Sequence, residues 1–339
     1  MTAGSNTPCL RVAVIGLGLI GRQRAEALQH IDGATLVATV DPAGVPLAAV
    51  HYASLDELPA ESYDAAIVAV PHDRAVEAAA HVLSCRRPVL IEKPLGVNPG
   101  DARSVEALSH DAPLPSFVGY NYRYMPSVRE LLDRLRSGWF GELRSVDMLI
   151  GHGGHPGSAS GWKLDPKRAG GGVILDPGVH LIDLLLQIAP GAACETVVAT
   201  SGFWGTGIEE DVTAVFRAGS LIATLRASHL RWVNGFRIEI FGEDGYGIAE
   251  GRGGNYGPMS LRLGRRWAWA EAGAGSQHES EEVADYGTLN ESLLDELVDV
   301  VAAWRSGRAP VGGLHPATMA EGLAVAELCG ALYERLALD

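Results

Sequence analysis

Lys93, Asp176 and His180 are of the types that move protons or hold developing charge, and two of them fall in an unusual setting. Gly170, Gly171 and Gly172 lead into a short apolar run, then Asp176 and Pro177. A run apolar almost all round follows: Val179, Leu181, Ile182, Leu184, Leu185, Leu186 and Ile188. An Asp just before a Pro marks a helix start, because its carboxylate caps free N–H groups and Pro suits the first turn. A helix apolar on every side is a buried one. Asp176, His180 and Asp183 are spaced by four and then three, which puts them on one helix face. Burying three ionisable groups is unfavourable unless they are paired or used. A cap and a satisfied core histidine would account for part of this, and an acid–base role for His180 accounts for the rest. The three glycines would also let another molecule approach the backbone closely.

The elements that position these residues begin at the N-terminus. An apolar strand, 10–15, runs into Gly16-Leu17-Gly18-Leu19-Ile20-Gly21 and then a helix to about Ile31. This is GxGxxG in the strand–turn–helix setting that gives the motif meaning. Gly16 permits the tight turn, Gly18 the approach of a pyrophosphate, and Gly21 close packing of helix on strand. The N–H groups at Leu19 and Ile20 open the helix and face an anion. The next strand, 35–40, ends in Asp41, twenty residues beyond Gly21. A carboxylate there accepts from a ribose 2′-hydroxyl and repels a 2′-phosphate, so NAD is expected rather than NADP. A glycine-rich turn with a strand-end Asp is the plain alternative. Further strand–helix alternation, with strands at 64–70, 88–91 and 115–118 and helices at 74–84 and 99–109, predicts a doubly wound parallel sheet. Ligands bind at the carboxyl ends of such strands. Pro71 and His72 follow one strand and Glu92-Lys93-Pro94 another, so all four of Pro71, His72, Glu92 and Lys93 are candidate cofactor contacts. A solvated loop lysine is the alternative for Lys93.

The 339 residues suggest two domains. We place the boundary near Gly119, giving a dinucleotide-binding domain over 1–119 and a substrate-binding and oligomerisation domain over 120–339. Helix 127–137 comes next, and from Glu142 the texture changes. Short alternating or β-branched segments at 142–150, 195–201, 211–217, 221–228, 236–241 and 247–250 predict a mostly antiparallel sheet. Helices over 289–306 and 316–336 close the chain. The loop from Gly151 to Arg168 is long for a plain connection and carries His152, His155, Trp162, Lys163, Asp165, Lys167 and Arg168. Trp162 offers a flat apolar face for a sugar ring, and His155, Lys163, Asp165 and Arg168 offer hydroxyl partners. A mobile surface loop is the alternative. A metal site from His152, His155, Asp176 and His180 has the ligand types but no recognised zinc spacing, and no metal is expected.

Composition bounds the partners. A net charge of −14 argues against nucleic acid and anionic membranes, where basic patches supply the affinity. No apolar run reaches about 18 residues, and no signal peptide is read, so no membrane partner is expected. Cys9, Cys85, Cys194 and Cys329 lie far apart without a CxxC pair, which fits a reducing cytoplasm.

Taken together, GxGxxG at 16–21, Asp41, Glu92-Lys93-Pro94 and Gly171-Gly172 through Asp176, His180 and Asp183 resemble the glucose–fructose oxidoreductase/inositol dehydrogenase/MocA family over nearly the whole chain. The resemblance implies an N-terminal Rossmann domain and a C-terminal α/β domain on a large open sheet that often mediates homo-oligomers, here a dimer or tetramer. It implies Lys93, Asp176 and His180 as the catalytic set. Candidate substrate contacts are Lys93, Tyr122, Arg123, His155, Trp162, Arg168, Asp176 and His180. The activity implied is hydride transfer between NAD and a secondary alcohol of a sugar, nucleotide sugar or cyclitol. Two other activities occur in the family: NAD-dependent glycoside cleavage through transient oxidation, and non-enzymatic sugar sensing. Retention of Lys93, Asp176 and His180 together argues against the sensor. Two departures stand out. Only 42–50 separates Asp41 from the next segment, where the family has a helix, and Ala75 stands where the family often has His, with His72 nearby.

Overall fold

A computed structural model describes residues 9–43, 46–154, 161–266, 281–310 and 312–336. The first part of the chain alternates short buried strands with helices. These are β1 (Leu10–Ile15), α1 (Leu19–Leu28), β2 (Ala34–Val40), β3 (Val50–Tyr52), β4 (Ala65–Val68), α2 (His72–Ser84), β5 (Val89–Glu92), α3 (Pro99–Ser109) and β6 (Phe117–Gly119). Then come α4 (Pro126–Arg136), β7 (Leu143–Gly151), a four-residue α5 (Pro166–Ala169) and α6 (Val179–Ile188). A run of strands follows: β8 (Ala193–Ser201), β9 (Glu209–Ala218), β10 (Leu221–Ser228), β11 (Gly235–Gly242), β12 (Gly245–Glu250), β13 (Met259–Arg265) and β14 (Glu282–Gly287). The chain closes with α7 (Ser292–Ser306), β15 (Ala317–Thr318) and α8 (Met319–Leu336).

Two compact units result. The first comprises residues 1–96, 100–119 and 293–323, and the second 97–99, 120–292 and 324–339. Residues 293–323, which lie well beyond the boundary placed at Gly119, thus cluster with the first unit. There α7 supplies Leu297, Val300, Val301 and Trp304 to a core shared with Val12, Val14, Leu28 and Ile67. The first unit's sheet runs β15-β6-β5-β4-β1-β2-β3. It is parallel except for β15. Its central strand β4 is buried at every residue, as a strand covered on both faces must be. The order reverses between β1 and β4, and the carboxyl ends at such a reversal are where sheets of this kind take a ligand.

The second unit's sheet runs β14-β13-β12-β11-β7-β10-β9-β8, antiparallel except for the β7–β10 pair. The mostly antiparallel expectation therefore holds. Alternation sets its two faces: Leu221, Ala223, Leu225 and Ala227 of β10 point inward, between outward-facing neighbours. Strands β3, β13, β14 and β15 were not among the expected segments. Helix α6 is buried, as its composition requires. Each of Leu181, Leu184 and Leu185 contributes roughly 1.5–3 kcal/mol by leaving water, an upper figure. Among the described residues one stretch, 166–188, is long and apolar enough to cross a membrane by length and composition, and 78% of its most apolar window is buried within the protein.

Candidate functional site

In the first unit the site is built largely from backbone. Gly16 ends β1 at φ +92°, and a Cβ there would lie 2.4 Å from the Ala69 carbonyl oxygen. A Cβ on Gly21 would lie 1.9 Å from the Gly16 oxygen, so glycine alone lets α1 sit this close to the turn. A Cβ on Gly18 would meet nothing within 4 Å, which leaves the space before α1 clear. Gly18 caps α1 without a side-chain bond, and no acidic residue stands in its first turn. Leu19 is 74% exposed beside this opening and Ile20 is partly exposed. Asp41 follows β2. Its Oδ2 accepts from the Leu17 N–H (2.7 Å) and its Oδ1 from the Ala43 N–H (2.8 Å), which aims the carboxylate at the glycine turn. A pyrophosphate on the α1 N-terminus and a ribose on Asp41 fit these groups. Among the described residues no helix stands between β2 and β3, in line with the short segment after Asp41.

Pro71 and His72 open α2 at the end of β4, with His72 nearly buried. Lys93 follows β5 and is half-buried. Glu92 accepts from Arg24 (2.7 Å), and Arg24 also pairs with Glu296, both fully buried. The Glu92 carboxylate is therefore held by a guanidinium inside the first unit. The attraction of the two carboxylates outweighs burial and raises the Arg24 pKa.

In the second unit the site is built from side chains. Asp176 is not the helix cap its place before Pro177 predicts. Asp176 is extended at φ −153°, ψ 105°, as suits a residue before Pro and a cap alike, but the regular helix does not follow it directly. Helix α6 instead starts at Val179 behind Gly178. The shared helical face therefore holds for His180 and Asp183 but not for Asp176. The Asp176 carboxylate accepts from Lys163 Nζ (2.6 Å), which raises the lysine's pKa.

The glycines before it do not leave the backbone open to a ligand. A Cβ on Gly171 would strike Tyr333 Oη (1.9 Å) and one on Gly172 the Glu209 carbonyl (2.1 Å). Glu209 Oε1 accepts from the N–H of Gly172 and Ile174 and from the Tyr333 hydroxyl (2.6 Å). The glycines fit the protein's own brace.

His180 is the second residue of α6 and 4% exposed, its ring lying flat on Tyr122 (centroids 3.7 Å, 1° between planes). Asp183, one turn on, is claimed by Arg123 through two bonds, Nε at 2.8 Å and Nη2 at 2.5 Å. Arg123 is 2% exposed and acts as a buried strut under Asp183. With Arg123 against it, Asp183 also pulls less on His180 than a bare carboxylate would.

Trp162 and Lys163 lie on a single helical turn, 162–164, and Arg168 on α5, with both Trp162 and Arg168 partly buried. His155 lies outside the described residues. Four further residues join the cluster. His152 and His229 follow the paired ends of β7 and β10 with rings 4.7 Å apart. Burial and the neighbouring histidine push His152 down to about 4, and burial also lowers His229. Arg252 donates to the Tyr122 hydroxyl (2.5 Å) and stacks on Tyr256. The position of His152 and His229 just past strand ends was readable in sequence; nothing in sequence joined Arg252 to Tyr122, 130 positions away. Among the described residues no group of three His, Cys, Asp or Glu could hold a metal.

The chain matches two family models: an oxidoreductase family with an NAD-binding Rossmann fold over 10–120, and the GFO/IDH/MocA C-terminal domain over 128–247. It is 26% identical over 199 residues to the rhizopine catabolism protein MocA of Rhizobium meliloti, covering 56% of this chain and 61% of that protein's length. It is 27% identical over 255 residues to the myo-inositol 2-dehydrogenase of Thermotoga maritima, covering 70% and 74% of the two chains. A solved levoglucosan dehydrogenase in complex with NADH and levoglucosan shares the fold, with a TM-score of 0.81 over 97% of each chain at 17% identity. With a Rossmann unit, a glycine turn and strand-end Asp shaped for NAD, and both domain models matched in order, the chain belongs to the GFO/IDH/MocA oxidoreductase family.

Proposed function

We propose that the protein is an NAD-dependent oxidoreductase that moves a hydride between NAD and a secondary alcohol of a sugar, nucleotide sugar or cyclitol. One observation carries the reading: a buried His180, fixed flat on Tyr122 at a helix start, with Asp176 held by Lys163 four residues earlier. The names of the relatives support the substrate class, since one acts on myo-inositol and the solved neighbour carries levoglucosan.

When bound, the nicotinamide supplies the hydride acceptor or donor. The N–H groups at the start of α1 would hold the pyrophosphate and Asp41 the ribose 2′-hydroxyl. His180 takes the proton of the reacting hydroxyl. Tyr122, stacked on the ring, fixes its plane. Lys93 stabilises the developing alkoxide. Asp176, its rotamer held by Lys163, accepts from a neighbouring hydroxyl and sets which carbon reacts. Trp162 would cover the C–H face of the ring, and Arg168 would reach a phosphate on a nucleotide-linked substrate.

Exposed Val198, Ile222, Phe241 and Val283 on the outward face of the second sheet support a homo-oligomer through that face. Four free thiols support a cytoplasmic setting, and the acidic charge argues against nucleic-acid partners. The test is NADH absorbance over a panel of inositols, free sugars and nucleotide sugars. Net NADH formation with one class is expected. Glycoside cleavage without net NADH would replace the reading with transient oxidation, and NAD binding without any turnover would replace it with a sensor.

A further inference from the structure

Three guanidiniums in this protein invite comparison. Arg24 and Arg123 are buried, and each is answered by carboxylate: Glu92 and Glu296 for the first, Asp183 for the second. Arg252 is half-buried, yet among the described residues no carboxylate pairs with it. Its Nε is shut away from solvent without an acceptor among them, and the side-chain partners its guanidinium does have are neutral phenols, Tyr122 Oη at 2.5 Å and Tyr256. Two aromatic faces hold the cation, Tyr256 at 4.0 Å and Tyr122 at 5.2 Å from ring centroid to Cζ. Such faces orient a guanidinium but leave its charge and its in-plane N–H fork uncompensated.

The backbone beneath Arg252 is fixed as well. Gly251 N–H donates to the Phe236 carbonyl, Gly253 N–H to the Gly257 carbonyl, and Asn290 Nδ2 to the carbonyl of Arg252 itself. Gly251 sits at φ +77°, where a Cβ would lie 1.8 Å from the Pro258 oxygen, so the loop admits no other residue there without moving. A cation on a braced loop, clamped by rings and without a paired carboxylate among the described residues, has the form of a preorganised anion receptor. The other charges close by do not supply the anion. Asp176 is engaged by Lys163, and His152, whose titration Arg252 influences, is driven towards its neutral form. Tyr122 bonds to Arg252 at its hydroxyl and stacks on His180 with its ring, so an anion on Arg252 lies two contacts from the proposed base.

We infer that Arg252 recognises an oxyanion, a carboxylate or phosphate carried on the substrate close to the carbon that reacts. The inference rests on the proposed reading of the second unit as the substrate side of a sugar oxidoreductase. It narrows the substrate to acidic sugars or cyclitols, such as uronates, or to their phosphate esters. The planar fork of arginine suits either group.

The test measures binding apart from turnover. Calorimetry on the NAD-loaded protein compares D-glucuronate, D-glucose 6-phosphate and D-glucose. The inference expects one of the two anions to bind at least tenfold tighter than D-glucose, and which one does so identifies the oxyanion. Arg252→Met should weaken that anion roughly 10–100-fold and leave D-glucose and NAD unchanged. Arg252→Lys, which keeps the charge but not the fork, should fall between. If D-glucose binds the unmutated protein as well as both anions do, the inference is overturned without recourse to a variant. It is overturned too if Arg252→Met, folded by circular dichroism and by NAD affinity, keeps the preference. Anion binding that depends on Arg252 without NADH formation from any sugar keeps this inference and removes the hydride-transfer reading. NADH formation indifferent to the anion does the reverse.

Discussion

The two units solve the problem of placing chemistry in opposite ways. The first uses contiguous backbone: the turn from Gly16 to Gly21, the α1 N-terminus, and a carboxylate from the next strand that bonds back to Leu17 N–H. The second uses side chains gathered from Tyr122 to Tyr256, with His152, Lys163, Asp176, His180, His229 and Arg252 between. A backbone site tolerates no side chain at Gly16 or Gly21 but needs few neighbours. A side-chain site depends on bracing, and the structure supplies it with Tyr333 and Glu209 behind Gly171 and Gly172 and with Arg123 under Asp183.

Removing the brace from each unit breaks the comparison most sharply. Arg24→Met strips the buried Glu296 of its cation, and Arg123→Met does the same to Asp183. Each should lower stability by about 3–5 kcal/mol, the range for removing one partner of a buried pair. Urea unfolding reads this directly, and an unchanged midpoint in either would show that its pair contributes nothing. The variants should then diverge. Arg24 lies in α1 and holds Glu92 beside Lys93, so its loss should weaken NAD. Arg123→Met should leave NAD affinity where it was and lower turnover through His180, which shares α6 with Asp183.

Substitution within the chemistry comes next. His180→Asn should slow turnover roughly 10²–10⁴-fold and remove the rate's dependence on a group titrating near neutrality. Lys93→Met should abolish turnover while calorimetric NAD binding survives. A Lys93→Met rate within tenfold of the unmutated protein would reduce that residue to a structural role.

The same contrast explains what could be read from sequence. Gly16, Gly18, Gly21 and Asp41 act over short separations, so their type and spacing carry the message, and the parallel sheet follows from the alternation around them. In the second unit the buried helix was legible from its apolar run, but its start was not. The Asp–Pro pair suits a cap and equally an extended residue ahead of a proline, and only the packing of 170–178 decides between them. The ion-pair partners of Glu92 and Arg123 were not legible, because Arg24 and Asp183 lie 68 and 60 positions away. Strand β13 was overlooked although Met259, Leu261 and Leu263 alternate as buried residues; the signal was there. Arg252 carried no signal, since its partners Tyr122 and Tyr256 meet it only in the fold.

A smaller effect sharpens the reading of the first unit. Asp41→Ala should narrow the preference for NAD over NADP by roughly 1–3 kcal/mol, measured as the ratio of kcat/KM for the two cofactors. Because Asp41 also holds the N–H groups of Leu17 and Ala43, NAD itself should bind somewhat less well. Asp41→Asn, which carries no charge and keeps one oxygen to accept from only one of those two N–H groups, should lose the discrimination with a smaller loss of bracing than Asp41→Ala. If the unmutated protein turns over NADP as well as NAD, Asp41 does not discriminate.

The smallest effect belongs to the histidine pair. His152 has a folded-state pKa of about 4 against an ordinary 6.5, because burial and His229 disfavour its charged form. Lys163 and Arg252 act in the same direction and Asp176 opposes them. A lowered pKa means that the unfolded chain binds the proton more readily than the folded one. The contribution to stability is therefore complete above about pH 6.5 and is lost as the pH falls towards about 4. His229, also lowered, adds to the slope in the same sense. Partial exposure to solvent keeps the effect below that of the buried arginine pairs. His152→Asn should flatten the fall in urea midpoint between about pH 7 and pH 5. It should leave any neutral-range limb of the rate profile in place, since a ring that stays uncharged across that range cannot produce it. A limb that vanishes with His152→Asn and survives His180→Asn would move the base from the helix start to the strand ends.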